Sequence, residues 1–145
     1  MTDPKRVSPE DAHALVTNDA YRYVDVRSEI EFADGHPAGA LNVPFLLMGE
    51  GGLVPNGDFL EVMETAFPKD AKLVLGCKGG NRSLRAAKAL GAAGFTNIVD
   101  QRAGWDAARD EFGQVSEPGW SRLGLPVEDG ATDDRSYAAV KRKKA

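Results

Sequence analysis

Short apolar, β-branched runs alternate along this chain with segments whose apolar residues recur at helical spacing. That alternation constrains the fold more than any other feature. Tyr21-Arg22-Tyr23-Val24-Asp25-Val26, Lys72-Leu73-Val74-Leu75-Gly76 and Asn97-Ile98-Val99 read as strands. Ala40-Leu41-Asn42-Val43, closed by Pro44, reads as a shorter one. Ser8-Pro9-Glu10-Asp11 opens a helix, with Ser as N-cap, Pro at the first position and acids in the first turn. It runs through Ala12, Leu15 and Val16 to near Asn18. Ser28 caps a short helix through Glu29, Ile30, Glu31 and Phe32 that stops at Asp34-Gly35. Asp58 caps another, carrying Phe59, Leu60, Val62, Met63, Ala66 and Phe67, with Pro68 beyond its end. A fourth runs through Leu84, Ala87, Ala89 and Leu90 and stops at Gly94. Strands alternating with helices imply an α/β fold with a mostly parallel sheet.

The remaining segments read less regularly. Residues 48–58 are rich in Gly and turn formers and are expected to be a loop. Residues 106–111 are expected to be helical, 112–118 a loop, and 120–126 a closing segment that packs back. Residues 128–136 are polar and acidic, and the chain ends in Lys141, Arg142, Lys143 and Lys144. A solvated tail is expected there, with a docking patch for an acidic partner as the alternative. The division is a lead-in over 1–7, one domain over 8–128 and a polar, then basic, tail over 129–145. A length of 145 residues suits one core.

Composition narrows the function classes. No window approaches the roughly 18 apolar residues of a membrane span. The start, Met1-Thr2-Asp3-Pro4-Lys5-Arg6, has no apolar run behind it, so no secretory signal is expected. Eighteen basic against 22 acidic side chains leave a net charge of −4, which argues against general nucleic-acid binding. The single cysteine, Cys77, excludes an intramolecular disulfide and a cysteine-rich zinc site. A lone cysteine without a signal suits a reducing compartment, and a cytoplasmic location is expected.

By residue type alone, Cys77 is either buried filler or a reactive thiol. Its surroundings favour the second. It follows Leu73-Val74-Leu75-Gly76 and precedes a helix, the place where open parallel sheets bind ligands. The run is Cys77-Lys78-Gly79-Gly80-Asn81-Arg82-Ser83. Adjacent glycines let the backbone curl and turn its N–H groups inward. Such a ring opening into a helix N-terminus is an anion nest, and helix N-termini and cations favour a thiolate. Lys78 and Arg82 supply the cations.

With Cys77 and Arg82 five residues apart, this run resembles the six-residue active-site loop of the rhodanese-like sulfurtransferases. Lys78 and Gly80 are similar to the pattern of thiosulfate-using members. Asp25-Val26-Arg27 resembles the family's Asp-x-Arg signature at a strand end. Gly35-His36-Pro37-Ala38-Gly39-Ala40-Leu41-Asn42-Val43-Pro44 is similar to its Gly-His-Ile-x-Gly-Ala-x-Asn-Ile-Pro stretch, without the Ile. Gly104-Trp105 and Gly124-Leu125-Pro126-Val127 resemble its C-terminal end, and residues 107–119 look inserted. The match runs from about residue 8 to 128. The single-domain, thiosulfate sulfurtransferase type is the nearest in pattern.

The resemblance implies a single rhodanese-like domain, with a central mostly parallel sheet flanked by helices on both faces. It implies sulfur transfer from thiosulfate to a thiophilic acceptor, cyanide or a thiol, through a persulfide on Cys77. Backbone N–H groups of residues 78–83 would face the outer sulfur, with Lys78, Gly79, Gly80, Asn81, Arg82 and Ser83 binding substrate. Lys78 and Arg82 would hold the sulfonate. No cofactor and no metal are implied, and no membrane or nucleic-acid partner. The partners are a small sulfur donor and acceptor, with a protein sulfur acceptor as a further option. Phosphatases of this fold place five residues between Cys and Arg. The four here make a tighter ring, which fits one sulfur atom better than a phosphoryl group and ranks phosphate and arsenate chemistry low. The alternative functions are a persulfide carrier or sulfur-relay partner, and a redox sensor.

Other residues draw plainer readings. Asp25, Arg27 and Glu31 support the site, Arg27 being paired with one of the two acids. His36 is a turn residue bonded to backbone. His13 lies on a surface helix. Trp105 and Trp120 anchor the core. Phe45 and Leu46 are candidates to line the pocket.

Overall fold

The computed structural model describes residues 4–130 and 134–142. In chain order, β1 (Lys5–Val7) precedes α1 (Pro9–Asn18), β2 (Arg22–Asp25), α2 (Glu29–Asp34), β3 (His36–Pro37) and β4 (Leu41–Asn42). There follow β5 (Leu46–Gly49), β6 (Gly52–Pro55), α3 (Phe59–Ala66), β7 (Leu73–Gly76), α4 (Asn81–Ala92) and β8 (Ile98–Gln101). The chain continues through β9 (Ala107–Arg109), β10 (Val115–Pro118), a 3₁₀ turn at Trp120–Arg122, β11 (Val127–Glu128) and α5 (Tyr137–Arg142).

Five strands form the central sheet in the order β1-β8-β7-β2-β4, every neighbour parallel. The side-chain period of two sends alternate residues to opposite faces. Val24, Leu73 and Leu75 join the core on one face, with Val62 and Met63 of α3, Ala86, Ala87 and Leu90 of α4, and Tyr137 and Val140 of α5. Tyr23 and Val74 join the core on the other, with Ala12 of α1, Phe32 of α2 and Trp120. Helices thus cover both faces. Because all five strands run the same way, Asp25, Asn42, Gly76 and Gln101 lie along one edge, where the loops that build the site begin.

The caps at Ser8 and Ser28 form as expected. Ser8 accepts from the Asp11 amide, and Ser28 and Glu31 make a reciprocal capping box. Asp58 precedes α3 but makes no side-chain cap; the Asn56 side chain accepts from the Asp58 amide instead.

Several expectations are corrected. Residues 48–58 are not a plain loop: β5 and β6 pair as an antiparallel hairpin. Residues 106–111 are not helical and 112–118 are not loop throughout. β9 and β10 form a second hairpin, with a register shift between Val115 and Glu117. These strands are three and four residues long, and neither alternates cleanly. The lead-in contributes β1, which pairs with β8. Residues 137–142 are not solvated tail. They form α5, and Tyr137, Ala139 and Val140 are buried. Arg135 pairs with Glu128. Of the basic run, Lys143 and Lys144 lie outside the described residues.

His36 is not a turn residue. It is fully buried in β3, its Nδ1 2.6 Å from the Phe32 carbonyl and its Nε2 3.0 Å from Glu128. His13, half-buried, sets its ring edge-on to Trp120. Trp120 is buried, whereas Trp105 is half-buried beneath the Arg27 guanidinium, 5.1 Å from its ring centre.

Candidate active site

Cys77 follows the last residue of β7 and is 2% exposed. Burial of this kind fits filler, so the direction of the sulfur decides. The Gly80 amide donates to Sγ at 3.1 Å, and Sγ contacts Ser83 Oγ at 3.4 Å. The sulfur therefore points into the curl of residues 77–83, and Cys77 forms part of the lining of an open cavity of about 850 Å3. Gly80 holds a left-handed conformation (φ +93°) and begins α4. Ser83 is fully buried one turn in, its hydroxyl 3.4 Å from the Gly80 carbonyl.

The loop is braced from below and behind. Tyr23 lies over Gly76, where any Cβ would collide with its hydroxyl. Burial pushes the Tyr23 phenol up and keeps it neutral. Gln101 donates to that hydroxyl at 3.2 Å and also binds the Gly104 carbonyl and the Ala103 and Gly104 amides. The turn this fixes sends the Trp105 amide to the Cys77 carbonyl at 2.7 Å and the Asp106 amide to the Lys78 carbonyl at 3.0 Å.

Asp25 and Arg27 form a buried ion pair at 2.6 Å at the end of β2. Arg27 also donates to the Gly35 carbonyl, and Asn42 donates to the carbonyls of both partners. Burial acts to lower the Arg27 guanidinium, but Asp25 outweighs it and holds it charged. Of the two acids offered to Arg27 by the sequence, Asp25 is the partner.

Glu31 is committed elsewhere. Its two oxygens take Arg82 Nη1 at 2.8 Å and Nη2 at 3.0 Å. Arg82 is therefore not the free sulfonate holder that its position in the loop suggested; two arms of its fork are occupied. It still borders the cavity, and the pair ties the first turn of α4 to α2. Burial acts to raise the Glu31 carboxyl, but Arg82 and Ser28 overcome it and bring it from 4.5 to about 2. A carboxyl lowered on folding adds stability above its ordinary value, and that stability drains as pH falls toward the folded value. The thermal midpoint of Glu31→Gln is accordingly expected below wild type at neutral pH, the gap closing between pH 4.5 and about 2. Thermal melts of both proteins across that range check it; a constant gap contradicts it.

Lys78, Gly79 and Asn81 line the floor of the cavity with Cys77. Lys78 is exposed and makes no ion pair among the described residues. The opposite wall is the β9–β10 hairpin, with Asp106, Arg109 and Glu117. Arg102 spans the gap and pairs in two-pronged fashion with Glu117 at 2.8 and 2.9 Å. Arg6 of β1 closes one end. Phe45 and Leu46 do not line it; Phe45 packs edge-on against Phe59 with Arg85 over its ring. Arg6, Arg102, Arg109 and Glu117 drew no notice in the sequence. Arg6 sits in a three-residue strand, too short to show a period; Arg102 directly follows β8, and Arg109 and Glu117 are brought in by the β9–β10 hairpin.

The arrangement sets the Cys77 sulfur against an amide and a hydroxyl, in a cleft edged by cations. Comparison with known proteins gives the family. The sequence profile of a family described as Rhodanese-like domain matches residues 8–111. The chain is 37% identical over 125 residues to thiosulfate sulfurtransferase 16, chloroplastic, of Arabidopsis thaliana, covering 86% of this chain and 93% of that protein. It is 37% identical over 126 residues to rhodanese-like domain-containing protein 15, chloroplastic, of the same plant, covering 87% of this chain and 60% of that one. The crystal structure of Rv0390 from M. tuberculosis superposes with a TM-score of 0.72 at 27% identity, covering 89% of this chain and 100% of that one.

Proposed function

The chain belongs to the rhodanese-like domain family of sulfurtransferases, and from that premise we propose that it moves the sulfane sulfur of thiosulfate to a thiophilic acceptor through a persulfide on Cys77. One observation carries the reading: the Gly80 amide of the loop donates to Sγ at 3.1 Å, although Cys77 is also packed with the core. An amide held at that distance stabilises negative charge on sulfur without having to reorganise.

In the first half, the Cys77 thiolate attacks the outer sulfur of thiosulfate. An S–S bond forms to Cys77, the S–S bond of thiosulfate breaks, and sulfite leaves with the electron pair. Cys77 then carries a persulfide anion. In the second half, cyanide attacks the outer sulfur and leaves as thiocyanate, or a thiolate leaves as its own persulfide. The bond to Cys77 breaks and the thiolate returns. This is two-stroke covalent catalysis. Lys78, exposed at the mouth and without an ion pair among the described residues, is the cation suited to the departing sulfonate. The relative in Arabidopsis thaliana named a thiosulfate sulfurtransferase supports the donor.

The cavity also supports a second reading of the acceptor. Its volume of about 850 Å3 falls in the range that encloses whole organic ligands and exceeds what cyanide needs. A thiol acceptor, on a small molecule or on a protein, suits that space. The lone thiol itself is best kept reduced in a compartment such as the cytoplasm.

Intact mass after incubation with thiosulfate tests the proposal. A gain of one sulfur atom per chain is expected, with release of one equivalent of sulfite and loss of the added mass on adding cyanide. No gain and no sulfite overturns it.

A further inference from the structure

Two groups beside the site take no part in the steps above. Asp100, in β8, is wholly buried. Its Oδ2 accepts from Arg6 Nε at 2.8 Å, and its Oδ1 has no hydrogen bond. Burial pushes the carboxyl up, while the nearby Ser83 hydroxyl and Arg6 push it down. Burying a carboxylate costs stability even when it is paired, so a role in the fold alone is weak grounds for one here. Nor is the pair the sole tie between β1 and β8. The backbone ladder pairs Lys5, Arg6 and Val7 with Val99, Asp100 and Gln101.

The other arm of Arg6 shows where the pair acts. Its Nη2 donates to the Gly80 carbonyl at 3.3 Å. Gly80 is the residue whose amide faces the sulfur, and Ser83 Oγ lies 3.4 Å from both that carbonyl and Sγ. Glycine at a positive φ has no side chain to lock it, and its carbonyl takes the first intrahelical bond of α4, from the Leu84 amide at 3.2 Å. Arg6 adds a second hold on that carbonyl, from outside the helix, and Asp100 holds Arg6.

We propose that Arg6 and Asp100 are positioning residues of the sulfur-transfer site: the pair pins the Gly80 carbonyl, so that the Gly80 amide and the Ser83 hydroxyl stay on the Cys77 sulfur as charge passes from thiolate to persulfide. Neither is hydrogen-bonded to the Cys77 sulfur. The inference rests on the proposed function for the identity of that charge, and on geometry alone for the pinning.

Arg6→Gln, Asp100→Asn, the double variant and Arg6→Lys test it. Each single variant is expected to lower kcat for sulfite release about tenfold while KM for thiosulfate moves less than about twofold. The double variant is expected to be no slower than the slower single one, because both break one device. Arg6→Lys keeps the charge pair but reaches only one acceptor at a time, so it keeps the thermal midpoint and stays slow. Alkylation of Cys77 by iodoacetamide, which involves no thiosulfate, is expected to slow by a similar factor. Full rate in Arg6→Lys, or unchanged alkylation in Arg6→Gln and Asp100→Asn, overturns the inference. Should wild type take no sulfur from thiosulfate, the proposed donor fails, and the alkylation series still decides the pinning.

Discussion

Cys77→Ser is expected to fold normally and to transfer no sulfur. Cyanide-dependent turnover of thiosulfate falls on the order of 10³-fold or more, to the assay floor, and the mass gain disappears. The substitution keeps the shape of the side chain to within one atom, and a serine oxygen can still accept the Gly80 amide and contact Ser83. The thermal midpoint therefore moves by no more than a few degrees, and lost activity cannot be blamed on lost structure. What changes is chemistry. A hydroxyl at neutral pH is scarcely ionised, and an alkoxide carrying sulfur has no counterpart to the stable S–S bond. A Cys77→Ser protein that still releases sulfite from thiosulfate at the wild-type rate removes Cys77 from the mechanism and leaves the cleft without a nucleophile.

The parts of this site visible in the sequence are those whose residue type and local spacing express the same physics as their role. Cys77, ahead of two glycines and a helix, suggests an anion nest because such a nest is built from consecutive backbone groups; of the amides of residues 78–83, that of Gly80 is the one bonded to the sulfur. Ser28 and Glu31 announce a capping box because the partners are three residues apart. The second task of Glu31, holding Arg82, was invisible, since its partner lies 51 residues away. The pairing of Arg27 with Asp25 was legible only as a choice between two acids. The hairpin wall reads as helix and loop because β9 and β10 are only three and four residues long and stabilise each other across a turn rather than through a periodic face. Arg6 is the extreme case: its role depends on a parallel partner, Asp100, that only the closed sheet brings opposite. The tail was misread for a related reason. Tyr137 and Val140 are too few to show a period, yet they complete the core against α3.

Gly79 and Gly80 are equivalent in the sequence, and the structure makes them opposite cases for substitution. Gly80 sits at φ +93°, where an L side chain costs about 1–3 kcal/mol. A Cβ there would also collide with the Arg102 carbonyl and lie 3.0 Å from Arg6 Nη2. The Arg102 peptide cannot retreat cheaply, because its amide is bonded to Val7 and the turn behind it is held by Gln101. Gly80→Ala must therefore move the loop, and with it the amide on the sulfur. We expect a loss of stability of about 2–4 kcal/mol, from strain and overpacking together. We also expect a fall in sulfite release of about 10²-fold or more, the scale on which one lost oxyanion donor acts. Gly79 has no positive φ, and a Cβ on it would meet only the Ala107 carbonyl at 3.1 Å, a contact that a shift of a few tenths of an ångström relieves. Gly79→Ala is expected to stay within about 1 kcal/mol of wild type and to keep most of its rate. Denaturant melts and single-turnover sulfite release on the two variants measure the contrast. Equal behaviour would mean that the amide of Gly80 is not what steadies the sulfur. A Gly80→Ala protein that is unstable yet fast would separate the fold of the loop from its chemistry, and would assign the anion to Lys78 and the mouth of the cleft instead.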